Sequence, residues 1–557
     1  MSIYRENLKI ALQLTGLSFT TGLEETFYFS NSGFIAAIAG DTEERYYQPL
    51  IKDSILLKHD ISQTSDGINV RLINNDQNYL SDYLFHDYSL KIYIQADFSP
   101  ASTAWYPFFI GECDSLTVKR FTVDIKAKSH FEVLTKSLNP AVFTGVSTSF
   151  EGEVEATDKT KPRLFGDVFN ISPILLKANT LVYGCNWDYA GNRAAVTTIS
   201  AVKDGGVALT LDVAGGVGGD FTTTALMDAY APPAGQYVTC LAEGTIKLGS
   251  TPTFSVTMDV IEATQTVTQF ANLLATELAL SGTTVHFDPG YIFGFYYTSS
   301  TTYVSMFNAL LKDRDLAYWF DSASILNIDT VRGYDANPAV VRFLDAGQEF
   351  IDDDDIIAFK VDRAKYELPP EKVNLKYQKN YTIQNEGDLA GSVPVRTREY
   401  LKADALKASL VMGCNPSYYK DIETVELESG IRNLVDATTE VAAWMAHRAQ
   451  INDIFEVTCP ILAANSSIIL GVMTTSCTPV NIASTSILIS STSYLISNNN
   501  SACSQYGALT LGDTVVLNSD HFDINDDKFV VIGVNIDTKK MMVTYKLYGL
   551  RPISDCP

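Results

Sequence analysis

The side chains with chemistry to offer are cysteines, histidines and neighbouring carboxylates, and their spacing decides which reactions are open to them. Four of the eight cysteines, Cys459, Cys477, Cys503 and Cys556, lie close to the C-terminus. Four thiolates could ligate an iron–sulfur cluster, but these intervals match no short cluster motif, and no C-x-x-C pair suggests zinc or redox work. Buried or free thiols are the default, and no cofactor is expected. The six histidines, His59, His86, His130, His286, His447 and His521, are spread singly, so a metal cluster or a nucleophile–histidine dyad would need convergence that the sequence does not announce. Asp352, Asp353, Asp354 and Asp355, or Asp526 and Asp527, could act as the acid and base of a glycosidase, which needs two carboxyls roughly 5–10 Å apart across a sugar. With 65 acidic residues in the chain, such neighbours arise by chance and are usually solvated. The DINDDK segment (523–528) has oxygen ligands but not the Gly and terminal Glu of an EF-hand, and reads as a solvated hairpin tip. Neither H-E-x-x-H, G-x-S-x-G, a Walker A loop nor a helix-opening G-x-G-x-x-G occurs, so no enzymatic activity is expected.

The elements that would position these groups belong to an ordinary globular chain. It has 557 residues, 46% of them hydrophobic and 19% charged, enough for several domains. The formal charge of −24 removes the phosphate neutralisation that supports nucleic-acid binding. No apolar run approaches the ~18 residues needed to span a bilayer, and the N-terminus shows no signal-cleavage pattern, so a soluble, unprocessed protein is expected.

Most of the first 260 residues read as short alternating runs between turn residues, the pattern of antiparallel β-structure. GINVRLINND (67–76), SLKIYIQADF (89–98) and FTVDIKAKSHFEVL (121–134) are examples. In the last, Phe121, Val123, Ile125 and Ala127 share a core face. A first block spans 1–150, and the polar stretch at 151–162 reads as a linker opening a β-rich block, 151–252. The glycine stretch GGVGGDFTT in that block looks like a single calcium nonapeptide that cannot stack alone, so a flexible turn is the reading. An α+β block, 253–345, follows. Its first helix is capped by Thr266, buries Val267, Phe270, Ala271, Leu274 and Leu278, and places Gly282 at its C-cap. A second helix runs from about Tyr303 to Asp313, and strands LAYWFDS and ILNIDTV come after it. The last block, 346–557, holds strand EKVNLKYQK and a helix with Val441, Trp444, Met445 and Arg448 on one stripe. Strands IFEVTC, DTVVLN, KFVVIGVNID and MMVTYKLYGL complete it. Residues 464–506 interrupt it with a Ser/Thr/Asn-rich, charge-free insertion suited to packing on a partner.

A string of local patterns, in order along nearly the whole chain, resembles tail hub proteins of long-tailed bacteriophages. They include FYFSNSGF (27–34), YYQPLIKDS (46–54), FFIGECDSLTVKRFTVDI (108–125), KPRLFGDVFNISPILL (161–176) and PAGQYVTCLAEGTIKLGS (233–250). VNLKYQKNYTIQNEGDLA (373–390), LTLGDTVVLN (509–518), FVVIGVNID (529–537) and VTYKLYGL (543–550) follow. The resemblance implies a mainly β chain with α+β insertions: two tail-tube-like antiparallel β-barrels, in 1–150 and 346–557, plus β-rich and α+β connecting domains. It implies a virion protein of the tail tip or baseplate that forms a homotrimer, each subunit supplying two barrels so that three chains imitate a six-fold ring. Its partners would be a distal tail protein, the tape-measure protein and a central fibre or spike, with DNA passing through without specific binding. Asp352 to Asp355 would then be candidate channel-lining acids that repel phosphate. The alternative is a β-rich glycan-binding or glycan-cleaving tail-spike or surface protein, which the aromatic content favours and the lack of any repeated blade or coil weakens.

Overall fold

The computed structural model describes residues 8–38, 41, 43–52, 55–60, 67–75, 77–96, 105–311, 314–321, 324–332, 341–345, 360–367, 370–411, 424–448, 451–460, 472–474, 509, 511–519, 522, 524–538 and 542–551. The protein is mostly β, and it gathers into two compact units that are discontinuous in sequence. One unit takes residues 1–133, 317–368 and 450–554, and the other 134–316, 369–449 and 555–557. Residues 369–449, grouped by local composition with the last β block, therefore cluster with the middle of the chain.

The first unit is built on two large sheets. The first sheet uses β1 (Leu8–Ser18), β2 (Glu24–Ser30), β3 (Phe34–Ala36), β4 (Arg45–Pro49), β6 (Ile68–Ile73), β7 (Tyr83–Leu84), β8 (Ser89–Ala96), β9 (Tyr106–Val118) and β10 (Thr122–Ser129), while β5 (Leu56–Asp60) leaves it. Their order is β3-β4-β2-β1-β8-β9-β10-β6, with β7 on β1. The second sheet comprises β11 (Val341–Asp345), β12 (Lys360–Glu367), β13 (Ile451–Pro460), β14 (Val472–Thr474), β15 (Thr514–Ser519), β16 (Ile524–Asp537) and β17 (Met542–Arg551). The order there is β12-β13-β17-β16-β15-β11-β14. Among the described strands neither sheet closes on itself.

Period-2 alternation explains the burial. Val123, Ile125 and Ala127 of β10 are at most 4% exposed, and their cross-strand partners Leu72, Val70 and Ile68 on β6 are buried with them. Phe121 departs from the expected face: it is 69% exposed because it belongs to the β9–β10 turn, where the guanidinium of Arg120 lies 5.1 Å from its ring centre. Residues 524–528, expected as a hairpin tip, belong instead to β16, because Ser519↔Ile524 and Leu517↔Asp527 extend the ladder with β15.

In the second unit, strand Arg163–Ile171 pairs with Val256–Ile261 and Gly294–Tyr297, and a core of Leu164, Val168, Ile171, Tyr183, Val202, Ile246, Met258 and Val260 forms around it. The Val267–Glu277 helix opens on a capping box between Thr266 and Gln269. It ends before Gly282: Ala279 takes the left-handed conformation (φ 52°) and the Leu280 N–H donates to the Ala275 carbonyl, closing the last turn three residues early. Helices Tyr303–Leu311 and Leu434–Arg448 match their sequence patterns, the latter burying Val441, Trp444 and Met445 on the sheet formed by Lys372–Tyr377, Leu406–Val411 and Thr424–Glu428. The polar stretch at 151–162 is packed rather than loose. Lys161, 7% exposed, donates to Glu151 and to the Gly191 carbonyl at 2.8 Å.

Candidate assembly interface

The two large sheets carry the same four-strand block. In the first sheet β8, β9 and β10 form a meander with β6 beyond β10; in the second, β15, β16 and β17 form a meander with β13 beyond β17. The registers coincide in detail. β8 pairs with β9 from Ser89↔Glu112 through Ile92↔Phe109 before the register shifts, and β15 pairs with β16 from Thr514↔Val530 through Leu517↔Asp527 before it shifts. Each long strand then bulges. Between Lys126↔Ser115 and Ala127↔Cys113 the ladder skips Asp114, eight residues after Tyr106 (114 − 106). Between Lys546↔Gly533 and Leu547↔Val531 it skips Ile532, eight residues after Ile524 (532 − 524). A bulge re-aims a strand and adds twist, so placing it identically gives both sheets the same bend. The buried rows correspond too: Val123, Ile125 and Ala127 match Val543, Tyr545 and Leu547.

The blocks differ in what lies beside the second half of the long strand. In the second sheet that place is taken by β5, which pairs antiparallel with β16 from Gly533↔Asp60 to Asp537↔Leu56 across almost the whole chain. At one end Thr538 clamps Ile55. The Ile55 N–H donates to Thr538 Oγ1 at 2.7 Å, and the Thr538 hydroxyl and N–H both donate to the Ile55 carbonyl, at 2.9 and 3.1 Å. At the other end Lys546 Nζ donates to Asp60 Oδ2 at 2.9 Å, with Asp60 only 5% exposed. Both side chains flank Gly533, where an added Cβ would fall 2.1 Å from Asp60 Oδ1 and 2.9 Å from Lys546 Cδ. Glycine is needed there so that the pair can meet above the sheet. In the first sheet the matching residues Ser115–Lys119 take no strand on that side among the described residues. A local 3₁₀ turn, Gln77–Asp82, packs beside β9, and its Asp82 carbonyl accepts from Phe19 at the end of β1.

Among the described residues, those singled out for chemistry form no shared cluster. Asp352 to Asp355, Cys477, Cys503 and Cys556 lie outside the described residues, as does the 464–506 insertion except for β14. Cys459 lies on β13 in register with Val543, the position that Leu72 holds opposite Val123 in the first sheet. Cys113, Cys185 and Cys240 are buried free thiols, and burial pushes Cys113 and Cys185 up to about 12, far from a reactive thiolate. No group of three or more metal-ligating side chains occurs among the described residues. The strap β5 went unread in the sequence because its partner strand is more than 470 residues away (533 − 60), and ILLKHD carries no local sign of it.

No protein-family model matches the chain, and no curated protein matches it in sequence. Among solved structures it is similar to the tail protein from Neisseria meningitidis MC58, with a TM-score of 0.44 and 8% identity over 98% of this chain and 97% of that one. It is also similar to the 43 kDa tail protein of prophage MuSo2 from Shewanella oneidensis (TM-score 0.40, 9% identity, 98% of each chain). A third is prophage tail protein gp18 from Listeria monocytogenes EGD-e (TM-score 0.35, 8% identity, 93% of this chain and 94% of that one). All three are tail proteins, the second and third of them of prophages.

Proposed function

We propose that this chain is a structural, non-enzymatic hub of a bacteriophage tail tip or baseplate. The observation that carries the reading is the repeated four-strand block, with matching register and matching bulge, at the two ends of one chain. A ring built from three such chains presents six alike blocks, which is what a trimer needs in order to mate with a six-fold tube. In this reading each large sheet is one wall of a tube-like barrel, and β5 is the internal tie that holds the two walls of a protomer at a fixed spacing. A distal tail ring and the tape-measure protein would meet one face of the ring and a central fibre or spike the other. The chain's charge of −24 suits a bore through which DNA passes unbound, and the acidic run Asp352 to Asp355 is assigned to that wall.

Imaging of the purified protein and of intact particles tests this. A three-fold ring with six alike lobes, found at the tail tip by gold-labelled antibody, is the expected outcome; a monomer together with label absent from the tail would overturn it. Replacing the four aspartates with Lys should slow DNA ejection from tails that still assemble.

A further inference from the structure

The second face of the first sheet is a feature that the hub reading leaves unused. Along β1 the residues alternate: Leu12 and Leu14 are fully buried on one side, while Gln13 and Thr15 look out on the other. The neighbours in register extend that outer side into a lattice, Tyr28–Gln13–Lys91 in one row and Thr26–Thr15 in the next, with Ser89 beside them on β8. Above this floor is a groove of about 580 Å³, lined also by Ile38, Asp41, Asp87, Tyr88, Glu24 and Tyr93.

The fold does not demand such a face. In the second block Thr514 and Val516 occupy the places of Ser89 and Lys91, and they are 3% and 6% exposed, covered by the chain itself. Among the described residues, only the first block keeps the face open and polar. Its polar groups are also held in place. Gln13 Nε2 donates to the hydroxyl of Tyr47 at 2.7 Å, Thr15 and Thr26 share a hydroxyl hydrogen bond at 3.1 Å, Asp87 accepts from Lys128 Nζ at 2.7 Å, and Arg45 lies 3.7 Å from Asp41.

We propose that this groove binds a neutral saccharide. Lys128 pairs with Asp87, Arg45 lies between Glu43 at 2.6 Å and Asp41 at 3.7 Å, and Lys91 shares the groove, so nearby cations largely offset its three carboxylates, which disfavours a cationic ligand but leaves carboxylate oxygens able to accept from hydroxyls. Tyrosine rings beside fixed amide, hydroxyl and carboxylate groups offer both the apolar contact that the C–H face of a sugar ring requires and the directional acceptors and donors that its hydroxyls require. The floor is three strands wide, broad enough for a chain of sugar units.

The test uses the full-length chain. Isothermal titration with maltohexaose, cellohexaose and oligomers of N-acetylglucosamine is expected to show binding of at least one of the three. Tyr88→Ala and Glu24→Gln should each weaken it about tenfold, a change of ~1.4 kcal/mol, with the thermal unfolding midpoint unchanged. Absence of heat with all three oligosaccharides, or affinity untouched by both substitutions, would overturn the proposal. Ring formation, read separately by imaging, reports on the hub and is expected to survive both substitutions, so the two readings fail independently.

Discussion

The first block, β6 with β8 to β10, and the second, β13 with β15 to β17, agree in strand order, register and bulge, yet they are finished differently. The first is completed locally, by a 3₁₀ turn from the connection between β6 and β7. The second is completed by β5, a strand that arrives from the first block. Among the described residues, one repeat therefore stands on its own part of the chain and the other depends on its sister. This asymmetry makes the first unit a single structure although its segments are scattered along the chain, because the second sheet is not whole until residues near 56 have been placed.

The comparison is broken most severely at Gly533. Its replacement by Val would force a branched side chain between Asp60 and Lys546, where even a single Cβ meets an oxygen at 2.1 Å. The expected loss is about 2–3 kcal/mol, read by urea unfolding. The matching position in the first block is Ser115, which pairs with no strap among the described residues, so Ser115→Val should stay within about 0.5 kcal/mol. Equal effects at the two sites would mean that β5 does not distinguish the blocks.

A smaller effect is expected at the clamp. Thr538→Val removes the hydroxyl that serves both backbone groups of Ile55, itself 1% exposed, leaving the Ile55 N–H without that acceptor while its carbonyl keeps the Thr538 N–H. The cost should be about 1–2 kcal/mol. Arg120 occupies the corresponding place beyond β9, and Arg120→Ala should be near neutral. Protection of the β5 amides against hydrogen exchange should fall in Thr538→Val while that of β8 stays unchanged; parallel loss in both would show that the clamp acts on the whole unit.

Much of this architecture was legible in the sequence, and the reasons for what was not are physical. Alternation in TVDIKA and in KFVVIGVNID gave the strands and their buried faces, because a half-buried strand writes its environment into every second residue. The start of the Val267–Glu277 helix was legible through Thr266. Phe121 was misplaced because periodicity continues past the point where a turn begins, and the Asp-rich 524–528 because pairing with β15 outweighs local turn preference. The repeat was expected only through the resemblance and not from matching residues: Val70 answers to Val457, but Leu72 answers to Cys459 and Ala127 to Leu547, so geometry is kept while residue identity is not. The groove lay in plain alternation along LQLTGL, yet which side of a sheet stays open is decided by what packs on it, and that is set by distant segments.

The smallest expected effect concerns a single pair of matching sites across the two blocks. Arg71 on β6 faces Asp124 on β10, with Arg71 Nε donating to Asp124 Oδ1 at 2.7 Å. At the same places in the second block Thr458 faces Thr544, joined by a hydroxyl hydrogen bond of 2.9 Å. One block thus carries an ion pair where the other carries a neutral bond. Hydrogen bonds from Lys119 and then Arg71 hold the Asp124 carboxyl below its usual range. A carboxyl depressed in the folded state adds stability above its unfolded value, roughly 3.9, and that contribution is lost as the pH falls through the lower folded value. Arg71 is half exposed, so screening keeps the gain to a few tenths of a kcal/mol. Replacing both residues by Thr should therefore cost that little at about pH 7 and low salt, progressively less as the pH falls through the lowered folded value of Asp124, and nothing in concentrated salt. A cost independent of pH and salt would mean that the pair acts through packing, and that the two blocks are held at this position by the same forces after all.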